Sequence, residues 1–122
     1  MTVDDRRKAV RAPAKLAMEI KLGGEDQSRT ETINVSANGV YFMSKAHIPA
    51  LTRLQITLML PGPSDGPKSA HREVVCDGVV VRVDPETPQA DQDQYEIACY
   101  FTSITRADQE DLESYILNQL AF

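Results

Sequence analysis

Leu54-Gln55-Ile56-Thr57-Leu58-Met59-Leu60-Pro61 decides the fold class. Leu54, Ile56, Leu58 and Leu60 face one way while Gln55 and Thr57 face the other, the period-two pattern of a strand with one buried face. Pro61 has no amide hydrogen to give a ladder and stops the strand. Towards the N-terminus the same alternation sets Leu16, Met18, Ile20 and Leu22 against Ala17, Glu19 and Lys21. Gly23-Gly24 then reads as a turn, prolonged by the polar stretch Glu25–Ser28. Two further strands are expected at 30–35 and 40–44.

Towards the C-terminus, Pro61–Arg72 is a loop on composition. The Val-rich run 73–83 predicts a fifth strand, with Gly78 marking a bulge or a close approach. A polar loop follows from Asp84 to Gln94, and Tyr95, Ile97, Cys99 and Phe101 alternate in a sixth strand. The period then changes. Leu112, Tyr115, Ile116, Gln119 and Leu120 follow helical spacing, with Leu112, Ile116 and Leu120 on one stripe. Thr105 and Asp108 resemble a capping pair, and Asp108, Glu110 and Asp111 suit the positive end of a helix. Strands with no helix between them imply antiparallel pairing, and closing them into a small barrel removes exposed edges. The expectation is mainly β: a six-stranded antiparallel barrel with a C-terminal amphipathic helix. It divides one domain into an N-terminal arm (1–12), the barrel (13–103) and the helix (105–121).

A chain of 122 residues is short for an elaborate enzyme. Its net charge of −5 opposes binding to a nucleic-acid polymer or an anionic membrane, and no apolar run approaches a membrane span. Met1–Asp5 is too acidic and polar for a secretory signal, so a cytoplasmic protein is expected. Cys76 and Cys99 lie in apolar strand runs and read first as reduced core thiols, with a disulfide or a metal role as the alternatives. His47 and His71 have no Cys or His at ligand spacing, so no metal is expected. Ser36 has no neighbouring His in sequence, and the carboxylates collect in loops and at the helix start; no catalytic set emerges. Seven aromatics, few placed as a stacking platform, argue against an oligonucleotide-binding barrel.

Two polar segments carry more chemistry. Five of the 13 basic residues, Arg6, Arg7, Lys8, Arg11 and Lys15, fall in the first fifteen positions. Arg7 and Arg11 share a side in either regular conformation, one turn apart in a helix or roughly 13 Å apart in an extended chain. Pro13 pushes Ala12 towards extended geometry, which favours the open arrangement. A guanidinium fork can bond two phosphate oxygens, or O6 and N7 of guanine, and its plane can stack on a base. A solvated basic arm is the plainer reading of the same charges. The second segment is Asn34-Val35-Ser36-Ala37-Asn38-Gly39. Its short side chains and glycine let backbone approach a small ligand. Equally, Asn38-Gly39 between strands is the sequence of a tight primed turn, with Asn and Ser satisfying local backbone groups. Asn34-Val35-Ser36 also matches a glycosylation acceptor, discounted because nothing suggests secretion.

Both segments in this order, within this strand pattern, resemble the PilZ domain, the bacterial receptor module for cyclic di-GMP. Arg7 and Arg11 match its Arg-x-x-x-Arg motif, with Arg6 preceding, and Asn34, Ser36 and Gly39 match its Asp/Asn-x-Ser-x-x-Gly motif. Val40-Tyr41-Phe42 after the glycine and the late strand Ile97–Phe101 are also typical, and the resemblance runs from about Arg6 to Leu120. It implies a non-enzymatic receptor with no cofactor, whose ligand, cyclic di-GMP, lies on the outer surface of the barrel. Arg7 and Arg11 would grip phosphates and guanine edges as the arm folds over the nucleotide, and Arg6 would join them in holding the ligand. Asn34 and Ser36 would bond the other guanine edge, and Gly39 would keep the backbone clear. Asn34 stands where many members have Asp, which implies weaker binding for want of the carboxylate's charge. Arg6 implies a stacked pair of nucleotides. The family also implies a downstream protein partner, in motility, pilus function, exopolysaccharide synthesis or transcription. The alternative is a degenerate PilZ-like adaptor that binds a protein partner without nucleotide, although such members usually lack the arginines kept here.

Overall fold

The computed structural model describes residues 11–23, 26–61 and 71–120. Their elements are β1 (Arg11–Pro13), β2 (Ala17–Leu22), β3 (Asp26–Ser36), β4 (Gly39–Ser44), β5 (Arg53–Pro61), β6 (His71–Asp84), β7 (Tyr95–Ser103) and helix α1 (Arg106–Gln119). The sheet runs β1-β3-β2-β5-β6-β7-β4, and β4 also pairs with β3. That last pairing closes β2 to β7 into a six-stranded antiparallel barrel, with β1 as one added strand outside the ring. The expected fold class is therefore the observed one.

The period-two residues fill the interior. Met18 and Ile20 from β2, Ile56 and Leu58 from β5, Phe42 from β4, Val74 and Val80 from β6 and Ile97 from β7 are essentially fully buried. Their partners Lys21, Gln55 and Asp77, which are also opposite one another in the ladder, face out. Gly78 is both a register irregularity and a close approach: a Cβ there would lie 2.8 Å from Ile56 Cδ1 and 3.0 Å from the Tyr100 carbonyl oxygen.

The seventh strand is the main departure from expectation. Arg11 and Ala12, read as part of the arm, belong to β1, where Arg11, Ala12 and Pro13 lie opposite Ser36, Val35 and Asn34. Three residues ending in proline carry too little pattern to announce a strand. Proline is acceptable there because β1 is an outer strand that needs no second ladder. β1 and β2 pair with the same edge of β3, and the chain bulges between them at Ala14–Leu16. Thr32, buried at 2%, closes that gap: its hydroxyl donates to the Ala14 carbonyl at 2.5 Å and accepts from the Leu16 amide at 2.8 Å.

Helix α1 begins as read, with Thr105 Oγ1 accepting from the Asp108 amide at 3.1 Å. Leu112 and Ile116 are buried against the barrel, with contacts to β1, β3 and β6. Leu120, expected on the same stripe, is the C-cap residue and 43% exposed, because the helix ends before a further turn can seat it. No helix among the described residues is long and apolar enough to cross a membrane.

Candidate functional site

The β3–β4 connection and β1 meet at one corner of the barrel. Alternation along β3 turns Val35 inwards and leaves Asn34 half-buried on the outer surface, while Ala12 turns inwards and Arg11 outwards on β1. Diagonal neighbours on one face of an antiparallel pair stand about 7–8 Å apart at Cα, within reach of a long side chain. Arg11 uses that reach, and its Nη1 donates to Asn34 Oδ1 at 3.3 Å. The structure thus brings together one member of each sequence motif, on the wall where the resemblance put a ligand. Arg6 and Arg7 lie outside the described residues.

Ser36 sits at the start of the β3–β4 turn. It is 3% exposed, and its Oγ accepts from the amides of Asn38 and Gly39 at 3.2 Å each while donating to the Gly39 carbonyl at 3.4 Å. The hydroxyl is engaged inside its own turn, where it satisfies local backbone groups. Gly39 is explained by neither a primed turn nor ligand clearance alone. Among the described residues positive φ occurs only at Gly23 and Leu51, so Asn38-Gly39 is not the primed turn its sequence suggested. A Cβ on Gly39 would instead lie 2.3 Å from the Cys99 carbonyl oxygen. Glycine is needed because β4 and β7 approach closely just where the barrel shuts.

The turn is also tied to its surroundings. Phe101 of β7 donates its amide to the Asn38 carbonyl at 2.8 Å, and Gln109 of α1 donates Nε2 to the Ala37 carbonyl at 3.3 Å. Sheet, helix and turn therefore hold Asn34 in a fixed position with Arg11 beside it.

Sequence reading missed a second polar group on the same wall. Tyr41 is the ladder partner of Asn34, Ala98 of Tyr41, and Arg82 of Ala98, so one outward row crosses β3, β4, β7 and β6. The Tyr41 hydroxyl donates to Glu96 Oε1. That bond, with partial burial and the carboxylate's charge, raises the phenol above its ordinary value, while the Arg82 guanidinium beside it pulls the other way. Only strand register brings these residues together, and no local motif marks them.

The chain belongs to the PilZ family: residues 5–118 match the family model of the PilZ domain. No curated protein sequence matches it significantly. Among solved structures it is similar to the Bacillus subtilis inhibitor of motility MotI/DgrA, with a TM-score of 0.77 and 22% identity over 95% of this chain and 52% of that one. The K. pneumonia MrkH–c-di-GMP complex superposes with a TM-score of 0.67 and 16% identity, over 95% of this chain and 53% of MrkH. The PilZ domain of Escherichia coli YcgR, solved with c-di-GMP, gives a TM-score of 0.64 and 13% identity over 95% and 92% of the two chains. The chain spans about half the length of the MotI and MrkH chains. At these identities the likeness establishes the shared fold.

Proposed function

We propose that this domain is a cyclic di-GMP receptor that relays the ligand's presence to a protein partner. The observation that carries it is the Arg11–Asn34 pair, a guanidinium and an amide held side by side on the outer barrel wall by β1 and β3. Membership of the PilZ family and its likeness to PilZ structures solved with c-di-GMP support the reading. Arg11 offers its fork to phosphate oxygens or to O6 and N7 of guanine, and Asn34 offers its carbonyl to the guanine amino group. Arg6 and Arg7 supply further guanidinium groups from the arm. Ser36 and Gly39 act as positioning residues that keep the turn, and so Asn34, in place. No reaction on the ligand is involved, and the nucleotide is recovered intact. Ordering of the arm over the bound nucleotide then creates the surface that a partner reads.

Titration calorimetry tests this. A charge-assisted hydrogen bond contributes about 1.5–3 kcal/mol, so Arg11→Ala and Asn34→Ala should each weaken binding, the former by roughly tenfold or more. Absence of heat and of any melting shift with saturating cyclic di-GMP would remove the receptor reading. Two nucleotides per chain is the stoichiometry expected from Arg6, and the same titration measures it.

A further inference from the structure

We infer that Tyr41, Glu96 and Arg82 form a separate guanine subsite on the barrel wall, reading a base of the bound ligand other than the one on Arg11 and Asn34. The inference rests on the receptor reading above and adds to it which wall of the barrel the ligand covers. Its basis is the ladder register. Asn34, Tyr41, Ala98 and Arg82 lie opposite one another across β3, β4, β7 and β6. With strands about 4.8 Å apart, Arg82 stands three spacings, roughly 14 Å, from Asn34. That span suits a cyclic dinucleotide, which carries two identical bases on opposite sides of one ring.

The chemistry of the cluster matches guanine edge by edge. Glu96 gives one carboxylate oxygen to the Tyr41 hydroxyl, and its second oxygen can accept from N1–H and the exocyclic amino group. Arg82 is exposed and has no ion-pair partner among the described residues, but its guanidinium also touches the Tyr41 hydroxyl, so its fork must turn off that hydroxyl to donate to O6 and N7. Register places Arg82 opposite Ala98 and Asp84 opposite Glu96, so Arg82 and Glu96 are diagonal neighbours about 7–8 Å apart at Cα. The small, half-buried Ala98 lies beside both on β7, and Tyr41 stands across from it on β4 with its hydroxyl reaching both groups. Adenine fails the carboxylate contact and keeps only N7 of the two acceptors that the fork uses. Its N1 is an acceptor facing a carboxylate, and its N6 amino group is a donor facing a guanidinium. The cluster therefore selects guanine as well as binding it.

The test titrates the full chain, wild type and variants, with cyclic di-GMP and cyclic di-AMP. Arg82→Ala should weaken cyclic di-GMP binding tenfold or more. Glu96→Gln should narrow the preference for guanine over adenine at least tenfold, because the amide can present a donor where the carboxylate cannot. Arg53→Ala, an outward arginine on β5 away from the row, should bind like wild type. Melting temperatures of the free proteins establish that each variant is folded; if Arg82→Ala is not, Arg82→Lys replaces it, since lysine keeps the charge but loses the fork. A wild type that binds cyclic di-GMP while either the Arg82 or the Glu96 variant titrates unchanged overturns this subsite and leaves the Arg11–Asn34 site standing. A wild type that binds neither nucleotide removes the receptor reading and this subsite with it.

Discussion

At the scale of single residues, two positions test how backbone geometry selects a side chain, and they point in opposite directions. Gly39 needs the absence of a Cβ, which would lie 2.3 Å from the Cys99 carbonyl oxygen. That neighbour is backbone in a paired strand and cannot swing aside, so Gly39→Ala must push β4 from β7. Overpacking of this kind costs about 1–3 kcal/mol, and urea denaturation should find Gly39→Ala destabilised by at least that amount. Leu51 is the reverse case. It adopts φ +73° with 79% of its surface exposed, and its amide donates to the Val80 carbonyl at 2.6 Å while Val80 donates to Thr52 at 2.9 Å. Two residues opposite one, the first left-handed, is a bulge that glycine fills best. A left-handed conformation costs an L-residue about 1–2 kcal/mol, partly offset in glycine by greater unfolded-state freedom. Leu51→Gly should therefore raise stability, by about 0.5–1 kcal/mol on the same urea assay.

At the scale of elements, β6 and β7 carry the two thiols, and their burial makes a pH prediction. Cys76 and Cys99 are buried and unpaired, and desolvation pushes both thiols up to about 12 from the ordinary 9.0. The folded state therefore holds protons that the unfolded state has already released between those values. Their contribution to stability is complete below about pH 9 and is lost as pH rises towards 12. Denaturation midpoints measured from pH 8 to 11 should fall more steeply in wild type than in a Cys76→Val, Cys99→Ala double variant; parallel slopes would refute the assignment. Strands such as these were legible because burial of one face writes a period of two into the sequence, and α1 because Leu112 and Ile116 repeat at one turn. The illegible parts are those whose cause lies far along the chain. The reason for Gly39 is the carbonyl of Cys99, the closing pairing of β3 with β4 is a property of the whole ring, and β1 is too short to show a period. At the site, the motifs pointed to Arg11 and Asn34, but the row through Tyr41 to Arg82 exists only once the register is known.

For the whole molecule, a net charge of −5 would by itself repel a dianionic ligand, so the proposed binding requires a local arrangement of arginines that outweighs the general field. Linkage turns that local event into a property of the entire fold. A ligand held by the folded state alone stabilises it by RT ln(1 + [L]/Kd), about 2.7 kcal/mol at a hundredfold excess over Kd. For a domain of this size that amounts to a melting shift of roughly 10 °C. Arg11 is exposed, and its hydrogen bond to Asn34 at 3.3 Å is long, so Arg11→Ala should leave the ligand-free melting temperature nearly unchanged. At the same ligand concentration, however, a tenfold weaker Kd leaves only a tenfold excess. The linkage stabilisation then falls to about 1.4 kcal/mol, so the melting shift should drop to about half that of wild type. Scanning calorimetry of both proteins, with and without cyclic di-GMP, separates the two effects. An equal shift in both would mean that the ligand is held elsewhere, and a lowered ligand-free transition in the variant would mean that Arg11 serves the fold.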